Sequence, residues 1–157
     1  PPKHTSPTLR HSAAGMCYAA SPTDEDVSNA VAVAPSVGVE FDMFSNGVVF
    51  DWSNSRHVAI LRDGKNGTHE DHLAADDYPL VPDQTYYVWV DYDGLTNVMK
   101  VFINTGNTKP SLALLEYEID IPTIIGGTHV TKFGFTGATG GYAVRQNVLA
   151  MDVKIYD

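Results

Sequence analysis

The sequence predicts an all-β fold, an antiparallel β-sandwich, and three observations carry that expectation. Runs of roughly four to eight residues alternate apolar and polar side chains, the period of a half-buried strand. Gly, Pro, Asn and Asp punctuate those runs as turns. No segment has a convincing helical period. The chain has 157 residues, enough for one well-buried domain and too few for two ordinary ones. Hydrophobic residues make up 43% and aromatic residues 10%, a globular composition.

The elements follow in order. Pro1 to Pro7, PPKHTSP, has no apolar core of a signal peptide, so the numbering is expected to start at a mature or truncated end. Met16, Cys17 and Tyr18 form a short apolar run. Cys17 is the single cysteine, which excludes an intrachain disulfide framework and suits a buried small hydrophobe better than a nucleophile. Val37, Val39, Phe41 and Met43 give a strand, and His57 to Leu61 gives a second. Asp63 to Gly67 is a turn. Tyr86 to Asp91 leads through Asp93-Gly94 into Val98 to Ile103. Leu115 to Ile121 alternates apolar and acidic, so one face is buried and one is wet. Val130 to Thr136 and Val148 to Tyr156 are the last two expected strands. In the latter, Leu149, Met151, Val153 and Ile155 form one face, opposite Asp152 and Lys154.

Chemistry concentrates between Val37 and Ile60. Strand parity turns Glu40, Asp42 and Phe44 away from the apolar face. Two carboxylates on one strand face are costly unless something cationic meets them. Asn46, Asp51 and His57 follow across a Gly-containing turn. Hard oxygen ligands suit calcium (Ca2+), and carboxylates with an imidazole suit manganese (Mn2+) or another transition ion. Asp42 and Asp51 are the natural bridges between two such ions. The alternative is a polar strand face with a solvated turn.

These residues resemble the calcium–manganese loop of the L-type (legume-type) lectins, a concanavalin A-like jelly roll. That loop reads Glu-x-Asp-x-aromatic-x-Asn, then Asp, then His. It corresponds here to Glu40, Asp42, Phe44, Asn46, Asp51 and His57. The resemblance implies that Glu40 and His57 hold manganese and that Asp42 and Asp51 are shared. Asn46 and the Phe44 carbonyl would complete calcium. Asp51 and His57 stand six positions apart, where the family usually has five. Similarity returns in YYVWVDYDGLTNVMKVFIN and in KFGFTGATGGYAVRQNVLAMDV. It implies a lectin-like domain over residues 13–157, with 1–12 as an extension. A substantial N-terminal part of the family's domain is absent, as in a shortened relative or a fragment.

The resemblance also implies a carbohydrate site, with glycans or glycoproteins as partners and a secreted or extracellular location. Phe44 and Tyr142 would meet the apolar face of a sugar, and Asn46 and the Gly141 backbone would make polar contacts. Arg145 and Gln146, in the variable loop from Gly140 to Asn147, add hydrogen-bonding capacity; a plain solvated hairpin is the alternative. Ala13 to Pro22 resembles the first sugar-site loop, but Ala14 stands where the family has an Asp that accepts sugar hydroxyls. No glycine-rich second loop is found in Thr23 to Pro35. A lectin-like structural or adhesion module that keeps the metals and has lost the sugar is therefore the second reading.

Other functions fit less well. A formal charge of −9, from 19 acidic and 10 basic residues, argues against nucleic acid. No apolar run approaches the ~20 residues of a membrane helix, so no membrane insertion is expected. Related glycoside hydrolases carry Glu-x-Asp-x-x-Glu on one strand, whereas the motif from Glu40 ends in Ser45, so a non-enzyme is expected. His69 to His72, HEDH, is not expected to build a second metal site, because His69 and His72 would face opposite ways on one strand. Asn66-Gly67-Thr68 is an N-glycosylation sequon on an exposed turn. Homo-oligomerisation through sheet edges or faces stays open.

Overall fold

The computed structural model of the chain describes residues 33–45, 47–48, 52–64, 72–127, 132–137 and 144–156. Two three-stranded antiparallel sheets account for nearly all of their regular structure. The first joins β1 (Val37–Asp42), β2 (His57–Arg62) and β3 (Ala74–Asp77) in that order. The second joins β4 (Tyr87–Asp93), β5 (Val98–Asn104) and β6 (Leu115–Glu118), again in chain order. Each sheet is thus a meander in which sequence neighbours pair. Asp63 and Gly64 turn the chain out of β2 with φ of 55° and 65°. Asn97, at φ 56°, closes the turn between β4 and β5 and accepts a 2.9 Å hydrogen bond from the Tyr92 hydroxyl. Asn and Asp tolerate this left-handed conformation better than most side chains.

Parity sorts the side chains. Val39 lies opposite Ile60, and Phe41 opposite Val58, so both pairs share one face. Val58 and Ile60 form the core with Met99, Val101, Leu115 and Ile119 of the second sheet and its exit. Val37, Val39, Phe41, Tyr92 and Tyr117 pack around that cluster. Aligned faces of two sheets thus close a sandwich. The opposite face of the first sheet carries Gly38, Glu40 and Asp42 of β1, and its two carboxylates are buried. His57 to Leu61 are all buried, so β2 is covered on both sides.

Three expectations are corrected. Residues 132–137 and 144–156 carry no strand, although Val130 to Thr136 and Val148 to Tyr156 read as strands. Leu149 is 75% exposed and Ile155 88%. Alternation defines an apolar face, but a strand also needs a ladder partner, and none is paired to these segments among the described residues. The run from Leu115 stops pairing at Glu118, and a single helical turn, α1 (Ile121–Ile124), follows. Asp120 caps it, accepting from the Thr123 backbone N–H at 3.0 Å, and Pro122 lies in its first turn, where a missing N–H costs nothing. β3, with the sequence AADD, has no strand pattern of its own; its register against β2 holds it.

Ile60 and Leu149 differ in burial, not in chemistry. Ile60→Ala should lower unfolding free energy by about 2–5 kcal/mol in urea titrations, as a fully buried truncation does. Leu149→Ala should stay within about 0.5 kcal/mol of the wild type.

Candidate metal centre

Glu40 and Asp42 leave β1 on the face turned away from the core, and the register sets Asp42 opposite His57 and Glu40 opposite Ala59. Ala59 in turn faces Ala75 of β3. Two methyl groups at the centre of that face leave room for longer side chains from its edges. Glu40, Asp42, His57 and His72 are all buried. Glu40 Oε2 lies 3.7 Å from His57 Nε2 and 3.4 Å from His72 Nε2. The two imidazoles meet edge to face, with ring centroids 5.2 Å apart. One ligand atom from each of Glu40, His57 and His72 falls within 4.8 Å of the others.

The tautomer of His57 follows from its other nitrogen. Nδ1 lies 3.3 Å from the Ser55 carbonyl, which can only accept. A neutral His57 therefore carries its proton on Nδ1 and keeps the Nε2 lone pair, the arrangement that orients a metal-binding imidazole. His57 Nε2 has no hydrogen-bond partner among the described residues. Burial alone would raise the Glu40 pKa, but contact with His57 and His72 outweighs it and holds the carboxyl at about 2. Burial would lower His57, yet contact with Glu40, the charge of Asp42 and the Ser55 carbonyl raise it above the ordinary 6.5. Both shifts describe a pocket that demands positive charge beside a carboxylate. A divalent cation supplies it, and carboxylate and imidazole are suitable donors for a transition ion.

The loop after β1 is braced locally. The Phe44 N–H donates to Asp42 Oδ1 at 2.7 Å, which turns the chain directly after the strand. Ser45 Oγ reaches the Ser53 carbonyl at 3.4 Å, and Ser53 Oγ donates to Asp77 Oδ1 of β3 at 2.5 Å. Gly47, at φ 88°, makes a bend that a side chain would strain. The Phe44 side chain is left half-exposed.

Of the residues expected at the metals, the structure brings together Glu40, Asp42 and His57, with Phe44 tied to Asp42. Asn46 and Asp51 lie outside the described residues, as do Ala14, Cys17, Asn66, Gly141 and Tyr142. Arg145 and Gln146 are exposed, and the Gln146 side chain packs against the Gly137 backbone. The residue that sequence reasoning missed is His72. It belongs with Glu40 and His57; residues 69–71, the rest of HEDH, lie outside the described residues. The available signal was its place just before the strand that pairs with the His57 strand.

The pKa shifts define a pH window for metal-free protein. Glu40 is lowered, so its contribution is present above 4.5 and is lost as pH falls toward about 2. His57 is raised, so its contribution is full below 6.5 and is lost as pH rises through its folded pKa. Glu40, Asp42 and His72 are the titratable groups that face it. Chelator-treated protein should therefore be most stable between about 4.5 and 6.5. In His57→Gln, the decline on the alkaline side of that window should flatten, read as melting temperature against pH.

Comparison with known proteins places this geometry in a family. The legume lectin domain profile matches residues 6–155. The L-type lectin-domain containing receptor kinase VIII.1 of Arabidopsis thaliana is 31% identical over 105 residues, covering 67% of this chain and 14% of that protein. The probable L-type lectin-domain containing receptor kinase II.1 of the same plant is 30% identical over 88 residues, or 48% of this chain and 13% of that protein. The chain thus spans a small part of the length of these relatives. The sandwich of antiparallel sheets and the profile over nearly all of the sequence agree: this chain belongs to the legume lectin domain family.

Proposed function

We propose that the chain is a secreted or extracellular carbohydrate-binding module whose sugar site is shaped by calcium and a transition ion. The observation that carries this reading is the buried group of Glu40, His57 and His72, beside Asp42, in a legume lectin domain. Glu40 and His57 would hold the transition ion, and Asp42 and Asp51 would bridge it to calcium. Asn46 and the Phe44 carbonyl would complete calcium and fix the loop. Calcium's role is then indirect: it preforms the pocket before the sugar arrives. The half-exposed ring of Phe44 would meet a sugar C–H face, with Asn46, Gly141, Tyr142, Arg145 and Gln146 supplying further contacts. Residues 13–157 would form the binding domain and 1–12 an extension. The relatives couple such a domain to a receptor kinase, as their names state, which favours glycans or glycoproteins outside the cell as partners.

A catalytic reading fits poorly. Ser45 stands where the related hydrolase motif has its proton donor, so the second carboxylate that glycoside hydrolysis needs is missing from that strand. The reading with more support is a lectin-like structural or adhesion module that binds metal and no sugar. Ala14 favours it, because a methyl group cannot accept a hydrogen bond where the family has a carboxylate.

Exhaustive chelation should lower the melting temperature and abolish glycan-array signal, since bound ions stabilise the folded state. Ala14→Asp should raise affinity for simple sugars roughly ten-fold, about 1.4 kcal/mol, in titration calorimetry with calcium. Metal-dependent melting without any glycan signal, in wild type and Ala14→Asp alike, would favour the structural module.

A further inference from the structure

We propose that His72 is a direct ligand of the transition-metal position, adding a second imidazole to the carboxylates there, so that it prefers zinc or a neighbouring late divalent ion to manganese. The inference rests on the metal-binding part of the function proposed above. Its ground is convergence on one oxygen. Both His57 Nε2 and His72 Nε2 are turned to Glu40 Oε2, at 3.7 and 3.4 Å. Two donor atoms each ~2.1 Å from one ion lie roughly 3.0 to 3.4 Å apart for angles between a right angle and the tetrahedral angle. The three donors come from three places in the chain, β1, β2 and the residue two before β3, so the sheet itself presets their spacing.

The second imidazole changes which ion is held best. Manganese stands lowest in the divalent affinity order and is well served by carboxylate, carbonyl and water oxygens. Replacing an oxygen donor with an imidazole strengthens cobalt, nickel and zinc far more than manganese. Burial of all three side chains adds to this, because an ion there sheds most of its water and depends on the protein donors.

The test is competition. Stripped protein, held in calcium, is offered equimolar manganese and zinc, and bound metal is read by elemental analysis. Wild type should retain zinc. His72→Ser should weaken zinc by roughly ten- to a hundred-fold while changing manganese little. The visible spectrum of cobalt-loaded wild type should differ from that of the cobalt-loaded variant, because one imidazole leaves the ion's shell. Equal weakening of both metals would make His72 a positioning residue, and no change in either would remove it from the site; both overturn the proposal. If His72→Ser does not fold, titration of wild type with zinc decides: the His72 ring resonances must shift with the first equivalent, and unmoved resonances overturn the assignment. Manganese preference with glycan binding intact would sink the His72 ligand alone. Uptake of neither ion by wild type would sink the metal-dependent lectin reading with it.

Discussion

A carboxylate buried on a sheet must be met by positive charge, and Glu40 imposes that requirement on everything around it. Its strand places it on the face turned away from the core, where water cannot stabilise it. The neighbouring strand answers with His57, and the segment entering the third strand answers with His72. The register between β1 and β2, the small residues Ala59 and Ala75, and the Ser55 carbonyl behind His57 all serve that one contact. The core on the other face consists of ordinary aliphatic packing.

The two sheets divide the work unequally. In the first, β2 is shielded on both faces, and the face away from the core carries chemistry. In the second, the outer face meets solvent. There Tyr87 stacks on Trp89 at a 6.4 Å centroid distance, and Lys109 lies over the Phe102 ring while pairing with Asp91. Lys100 pairs with Glu116 across β5 and β6 at 2.9 Å. Exposed pairs of this kind contribute little each, on the order of 0–1 kcal/mol. Their setting is that of a wet sheet face, and the buried polar group is confined to the other sheet.

Much of this was legible in the sequence, and the reason is parity. Val37, Val39 and Phe41 fix the face of β1, so Glu40 and Asp42 had to share the other. His57 opens an apolar strand, and the antiparallel hairpin returns it to Asp42. His72 was illegible for a related reason. Parity reasoning treated residues 69–72 as one strand, whereas the ladder begins only at Ala74 and frees His72 to turn toward Glu40. Which strands lie side by side is a long-range fact, and local periods do not contain it. The same limit explains β3, whose AADD sequence carries no apolar alternation. It also explains residues 148–156, whose alternation is clear while their pairing is not.

The alternation of β1 also guards the chain against its own errors. A hairpin that closed one residue out of step would exchange the two faces of the strand. Glu40 and Asp42 would then be pressed among Val58, Ile60 and Val101, while Val39 and Phe41 would face imidazole. An aliphatic strand could tolerate such a slip at modest cost, but a pair of carboxylates driven into hydrocarbon cannot. The acidic pair thus sets one alignment of the hairpin well apart in energy from its near-miss neighbours.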